Sequence, residues 1–311
     1  MMKKLVAIGE ALIDFLPDEV NCEIKDVPSF TPKVGGAPLN VLGAFSKLGG
    51  KTEMITMLGV DPFGDKIVLE MNKYSIGKKY LKRTEAANTA LAFVSLGSDG
   101  QRQFSFYRNP SADLLLSEND IDESCLENSF AVHFCSVSLV DRPIKKAHEK
   151  LLKLADKNNV LISFDPNIRL PLWDDHSLLQ KTVNDFIPRA DIVKIADDEL
   201  EFVLNGRSLF DLFFGKVKLI IVTKGKNGAD LYTKNGKCFS AKPFCVNAID
   251  TTGAGDCFIG SFLWKLSQYE VFPNNIENLP VEILQICLDF ANERASLSTT
   301  KLGAIDSYPN E

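Results

Sequence analysis

Seven residues, Asp250-Thr251-Thr252-Gly253-Ala254-Gly255-Asp256, place two acids, two hydroxyls and two glycines just ahead of Cys257 to Leu266, where Phe258, Phe262 and Leu266 recur at helical spacing. The first N–H groups of a helix have no partner inside it and sit at the positive end of its dipole. They suit phosphoryl oxygens wherever no side chain crowds them. Gly253, Ala254 and Gly255 leave that space open. Asp256 then falls in the first helical turn, where it can take a proton from an attacking hydroxyl while the amides offset charge growing on the phosphate. An acid at a helix start also complements the dipole, and glycines also make tight turns, so the chemistry rests on the whole string. The commoner phosphate motifs are absent. Gly59 to Lys66 fails as a P-loop because Asp65 follows Gly64, and Gly253-x-Gly255 meets Phe258 where a dinucleotide fingerprint needs glycine. Protein-kinase signatures do not occur.

Other residues suit a polyol or an anion. Asp14 closes Gly9-Glu10-Ala11-Leu12-Ile13-Asp14, and Gly35-Gly36-Ala37-Pro38-Leu39-Asn40 opens a helical stretch. A carboxylate and a carboxamide beside open glycine backbone offer the donors and acceptors that sugar hydroxyls require. Both segments also read as turn and helix entry. Arg108 and Arg169, next to expected strand ends in an acidic chain, suit anion or hydroxyl recognition, with surface ion pairs as the alternative. Leu219 to Val222 runs into Thr223-Lys224-Gly225-Lys226-Asn227-Gly228, a glycine-spaced loop at the usual ligand edge of an open α/β sheet that also reads as a β-hairpin. Asp197-Asp198-Glu199 decorates the first turn of a helix. His133 lies in an apolar strand and reads as core.

The elements that must position these residues alternate. Leu5 to Ile8, Ala131 to Phe134, Val160 to Phe164, Ile192 to Ile195 and Leu219 to Val222 are short apolar runs, expected as strands buried on both faces. Leu39, Leu42, Phe45 and Leu48 before Gly49-Gly50, and Ile144, Ala147, Leu151 and Leu154 after Pro143, have helical period. Strand-helix alternation predicts a mostly parallel sheet with helices on both sides. Thr89 to Ser95 and Gln103 to Tyr107 flank Gly97-Ser98-Asp99-Gly100 as a hairpin, and residues from about Phe15 to Lys33 are strand and turn. Together they predict a small β lid, residues 15–33 and 87–112, on an α/β domain of residues 1–14, 34–86 and 113–311.

Composition sets outer bounds. A chain of 311 residues, 45% hydrophobic and 24% charged, is ordinary for a globular protein. A formal charge of -6 without a basic run argues against nucleic-acid or membrane partners. Seven scattered cysteines fit neither a disulfide framework nor a zinc site. With no long apolar span, a cytoplasmic protein is expected.

The Asp-Thr-Thr-Gly-Ala-Gly-Asp string resembles the signature of the ribokinase-like (PfkB) carbohydrate kinases, and the family's other marks occur in order across nearly the whole chain. The resemblance implies a three-layer α/β/α sandwich with a β lid, ATP and Mg2+ as co-substrate and cofactor, and phosphorylation of a sugar. Asp256 is then the base and Gly253 to Asp256 the anion hole. Asp14, Gly35, Gly36 and Asn40 hold sugar hydroxyls, Phe106 and Arg108 lie on the lid near the sugar, and Arg169 lies near the transferred phosphate. Lys194, Thr223, Gly225, Gly228 and Asn292 meet the nucleotide, with Gly253 and Gly255. Glu199 lies near magnesium through water, and Asp250 and Thr252 with the loop near Gly303 form a potassium site. Ala196 stands where many relatives carry Asn or Ser, removing one polar contact. Phe104-Ser105-Phe106-Tyr107-Arg108-Asn109-Pro110-Ser111-Ala112-Asp113 and Phe164 to Trp173 look like fructokinases, implying D-fructose and fructose 6-phosphate, ahead of 2-keto-3-deoxygluconate kinase or ribokinase. An inactive sugar or nucleotide sensor and a nicotinamide dehydrogenase are the rivals of other classes. A homodimer through the lid, by Phe104 and Phe106, is also implied.

Overall fold

The computed structural model describes residues 3–19, 22–96 and 102–310. The chain order is β1 (Lys4–Ile8), β2 (Leu12–Pro17), β3 (Phe30–Gly35), α1 (Ala37–Lys47), β4 (Thr52–Gly59), α2 (Pro62–Lys73), β5 (Leu81–Thr84), β6 (Leu91–Leu96), β7 (Arg102–Tyr107) and β8 (Ser129–Cys135). Then come α3 (Pro143–Lys157), β9 (Leu161–Asp165), α4 (His176–Phe186), β10 (Ile192–Ala196), α5 (Leu200–Leu204), β11 (Leu219–Thr223), β12 (Ala229–Thr233), β13 (Cys238–Ala241), α6 (Ala254–Leu266) and α7 (Val281–Ser298).

Nine strands form one sheet in the order β13-β12-β11-β10-β9-β8-β1-β4-β5. From β11 to β5 every neighbouring pair is parallel, while β12 and β13 fold back antiparallel. The apolar runs are continuous because alternate residues serve opposite cores. Leu5, Ala7, Leu219 and Ile221 pack with α1, α6 and α7; Val6, Ile8, Ile220 and Val222 pack with α3 and α4. The five expected strands and the expected layers are therefore present. The chain grows one way from β1 through β4 to β5 and the other way from β8 to β11, so the order reverses between β1 and β8. In open parallel sheets the crevice beyond the carboxyl ends at such a point is the usual ligand site.

The second sheet, β3-β2-β6-β7, is the expected lid. β6 and β7 pair antiparallel from Leu91↔Tyr107, and β2 lies parallel to β6 and antiparallel to β3. The expected hairpin turn at 97–100 lies outside the described residues. The lid ladder takes in residues 12–14 and 34–35 as well, positions expected in the α/β part. Asp14 is consequently an interior lid-strand residue opposite Lys33, not the end of a strand leaving β1. His133 is core: its Nδ1 lies 3.0 Å from Ser163 Oγ, and burial pushes its pKa down to about 4.

Candidate active site

Asp256, the expected base, is placed by helix packing. A Cβ on Gly260 would lie 2.6 Å from the Val41 carbonyl oxygen and 2.7 Å from Ala44 Cβ, so α6 approaches α1 as closely as only glycine allows. That approach brings Asn40 Nδ2 to 2.9 Å from Asp256 Oδ2, to which it donates. Asp256 keeps part of its surface open to solvent, yet protein crowds the carboxyl. Burial, partly offset by the Asn40 hydrogen bond, raises its pKa from 3.8 to about 7. Asp165 adds to the rise, and Lys194 and Arg169 oppose it. A carboxyl in that range is suited to accept a proton near neutral pH.

Gly253 caps α6 at φ 72°. The Tyr308 hydroxyl donates to the Gly253 carbonyl at 2.9 Å and would lie 2.3 Å from a Cβ there. Buried Tyr308 thus occupies the volume of the missing side chain and fixes the peptide from which the helix starts. Ala254 opens α6, and Gly255 faces Lys194, whose Nζ would lie 3.0 Å from its Cβ. Lys194, in the middle of β10, forms a buried ion pair with Asp165, the last residue of β9, at 2.9 Å. Burial works against the Lys194 charge, but Asp165 and then Glu199 outweigh it and hold the ammonium above its ordinary pKa. A permanent cation therefore stands beside the amides at the start of α6.

Glu199 caps the turn after β10. Its oxygens accept the Ile168 amide at 2.6 Å and the Ala196 amide at 3.1 Å. Burial, then the Asp165 charge, raise its pKa. Arg169, half-buried, donates to the Ile168 carbonyl at 2.9 Å, so Glu199 and Arg169 share one short segment. Among the described residues no cluster of three or more His, Cys, Asp or Glu side chains could hold a metal.

The residues expected to meet the sugar gather around α1. Asp14 Oδ2 lies over Gly35, 2.0 Å from where its Cβ would stand, and Gly36 lies against the Glu10 carbonyl. Phe106 packs on Leu12, Ala90 and Ala92 of the lid. Arg108 is buried and ion-paired with Asp113, and its Nη1 donates to the Val137 carbonyl at 3.2 Å. Burial works against its charge, but Asp113 and Glu10 more than compensate. Two buried polar atoms in this group have no partner: Arg108 Nε, a donor, and Asn40 Oδ1, an acceptor. Unmade hydrogen bonds of this kind are costly unless a ligand satisfies them.

The nucleotide positions line the same sheet edge. Thr223 ends β11, Gly228 closes the turn by donating to the Gly225 carbonyl at 3.2 Å, and the space beside Gly225 is empty to 4 Å. Strand β12 follows, so the loop is also a hairpin. A groove of about 510 Å³ runs between the segment after β13 and α7, lined by Ser240, Lys242, Phe244, Asp289 and Asn292. Asn292 donates to the Lys242 carbonyl at 2.8 Å, tying its two walls together. Asp250 accepts from the Thr252 amide at 2.9 Å and hydroxyl at 2.6 Å, and from the Gly303 amide at 2.9 Å, so these three loop positions meet.

The model of the pfkB family carbohydrate kinases matches residues 2–311. The chain belongs to that family. It is 38% identical over 310 residues to fructokinase-2 of Oryza sativa subsp. japonica, covering 98% of this chain and 90% of that one. The fructokinase of Xylella fastidiosa with bound ATP superposes with a TM-score of 0.90 at 31% identity, over 100% and 96% of the two chains. A fructokinase double mutant of Vibrio cholerae O395 in a fructose-, ADP- and potassium-bound form gives 0.85 at 28%, over 100% and 96%. For a carbohydrate kinase the site holds three residues that sequence reasoning did not assign: Asp165, Tyr308 and Glu10. Asp165 directly follows the apolar run Val160 to Phe164, and Glu10 follows Leu5 to Ile8 after Gly9, which is the signal each carries. Tyr308 had none.

Proposed function

We propose that this pfkB-family chain transfers the γ-phosphoryl group of MgATP to the primary hydroxyl of D-fructose, forming fructose 6-phosphate. The observation that carries the reading is the crowded Asp256 carboxyl, its pKa raised to about 7 by burial, held by Asn40 at the amide end of α6, where Gly255 faces Lys194. Asp256 takes the hydroxyl proton as the oxygen–phosphorus bond forms and the bond to the β-phosphate bridging oxygen breaks. The Gly253 to Asp256 amides, Lys194 and Arg169 offset charge on the transferring group. Arg108 Nε and Asn40 Oδ1 supply one free donor and one free acceptor to the sugar, and Asp14 and Phe106 bring the lid over it. Closing the lid would exclude water, the competing acceptor.

Fructose is favoured by the names of the relatives and by the Arg108–Asp113 pair. Glu199 would stand near a Mg2+ ion brought by the nucleotide, whose charge would help neutralise the phosphates. Potassium sits at the Asp250, Thr252 and Gly303 loop, a choice supported by the ion named for the Vibrio cholerae protein. A cytoplasmic location fits seven unpaired cysteines. The lid also carries a homodimer in this reading: Tyr107 at its edge is 63% exposed, and gel filtration tests it. The Phe104 side chain lies outside what is described. An ATP-coupled assay against fructose, ribose, glucose and 2-keto-3-deoxygluconate, in potassium and in sodium, tests the function. Turnover highest with another sugar would replace fructose; none with any would remove the kinase reading.

A further inference from the structure

Glu10 is an acid that the proposed phosphoryl transfer does not use, and it lies where the sheet order reverses. It lies two residues beyond the end of β1 and is 2% exposed. Its Oε1 accepts the amide of Ala37, the first residue of α1, at 3.2 Å. Its Oε2 accepts the hydroxyl of Ser138, in the turn after β8, at 2.7 Å. The Cys135 thiol lies at 3.6 and 3.8 Å from the two oxygens. The strongest charge acting on it is that of Arg108, just beyond lid strand β7, and Arg108 also donates to Val137 of the same β8 turn.

Three chain crossings between the smaller sheet and the body converge on this residue, at its side chain or its backbone. The first is Glu10 itself, between β1 and β2. The second is Gly36, between β3 and α1, where a Cβ would lie 2.5 Å from the Glu10 carbonyl. The third is Arg108, leaving β7. A carboxylate accepting two hydrogen bonds from separate segments fixes their separation, because losing either leaves a buried charge undersatisfied. The segment it fixes at α1 carries Gly35 and Gly36 on one side and Asn40, the partner of Asp256, on the other.

We infer that Glu10 is a positioning residue for the sugar, pinning the helix entry at Ala37 to the Ser138 turn and to Arg108, so that lid and body groups meet the sugar in register. It touches neither the nucleotide groove nor the Thr223 to Gly228 loop. The inference rests on the sugar-kinase reading.

The test uses the full chain as wild type, Glu10→Gln and Ser138→Ala. Fructose dissociation constants are measured by calorimetry, and KM for fructose and for ATP by coupled assay. Losing a hydrogen bond to a buried charge predicts that fructose affinity and KM weaken by about tenfold in Glu10→Gln, and by roughly half that factor in Ser138→Ala. The ATP KM should stay within about twofold in both, since a loss of global order would move both substrates together. Should Glu10→Gln not fold, Ser138→Ala decides. Unchanged fructose affinity in the variants, or equal rises in both KM values, overturns the inference. A wild type that binds neither fructose nor any other sugar of the panel overturns the kinase reading, and the inference falls with it.

Discussion

Replacing Asp256 by Asn removes the proposed base while keeping the oxygen that accepts from Asn40 Nδ2. Two opposite effects should follow. General-base catalysis contributes about 10² to 10⁴ in rate, so kcat should fall by about that factor. Stability should rise, because the folded chain holds this carboxyl at about 7 against an ordinary 3.8. At 1.36 kcal/mol per unit the shift is worth about 4 kcal/mol at the ceiling, and about half of that once partial solvent exposure is counted. The sign follows from the raised pKa. The favourable contribution of the protonated group is fully present below about pH 4, where both states carry the proton. It drains away as the unfolded chain ionises first, and is gone above pH 7. The variant therefore gains little at pH 4 and about 2 kcal/mol at pH 8, roughly 3–5 °C in Tm for a chain of this size. Wild-type kcat/KM should climb about tenfold per pH unit up to roughly pH 7 and then level off. Coupled ADP assays across pH and thermal melts by circular dichroism at pH 4 and 8 read all three. Turnover within tenfold of wild type, or the same gain in Tm at both pH values, would refute the assignment.

Gly260→Ala forces α6 off α1, since the new methyl meets the Val41 carbonyl oxygen at 2.6 Å. Overpacking of that kind costs about 1–3 kcal/mol, and the loosened Asn40–Asp256 contact should cost kcat about tenfold; unchanged activity would separate the helix contact from catalysis. Asp165→Asn strands the buried Lys194 ammonium without its partner, and losing one partner of such a pair costs about 3–5 kcal/mol. A urea melt checks that, and an Asp165→Leu, Lys194→Met double variant should recover most of the stability but not the turnover. Asp250→Ala unties Thr252 and Gly303 together, so activation by potassium over sodium should vanish while the fructose KM stays within about twofold; a retained potassium response would move the cation site elsewhere.

What could be read in the sequence follows from how each element is stabilised. The strands β1, β8, β9, β10 and β11 are buried on both faces and announce themselves as apolar runs. β4 is also paired on both sides, by β1 and β5, but carries buried Thr52, Glu53 and Thr56, which break its run. Glu53 is tolerated there because it accepts the Lys79 amide at 2.7 Å, a partner no local pattern reveals. β5 lies at the sheet edge with its middle residues exposed, so it has no buried face to advertise. Asp14 was placed at the end of a segment leaving β1 because nothing local marks where the chain leaves one sheet for another.

Within the site, the legible part was the local part: a string whose glycines and acid sit within one turn of a helix start. The rest depends on register. Asp165 and Lys194 meet because β9 and β10 run parallel with Phe164 opposite Val193, which puts the next residue of each strand, acid and ammonium, side by side at the carboxyl edge. Neither strand alone specifies that pairing. Tyr308 reaches Gly253 from 55 residues away through an irregular segment with no period at all. Yet both contacts decide what the string can do. An Asp at a helix start is ordinary; one held near pKa 7 by burial, with a fixed cation beside the same amides, can act as a base. The motif therefore names the chemistry only because long-range packing, led by the α1–α6 approach at Gly260, removes the acid from water without removing its access to substrate.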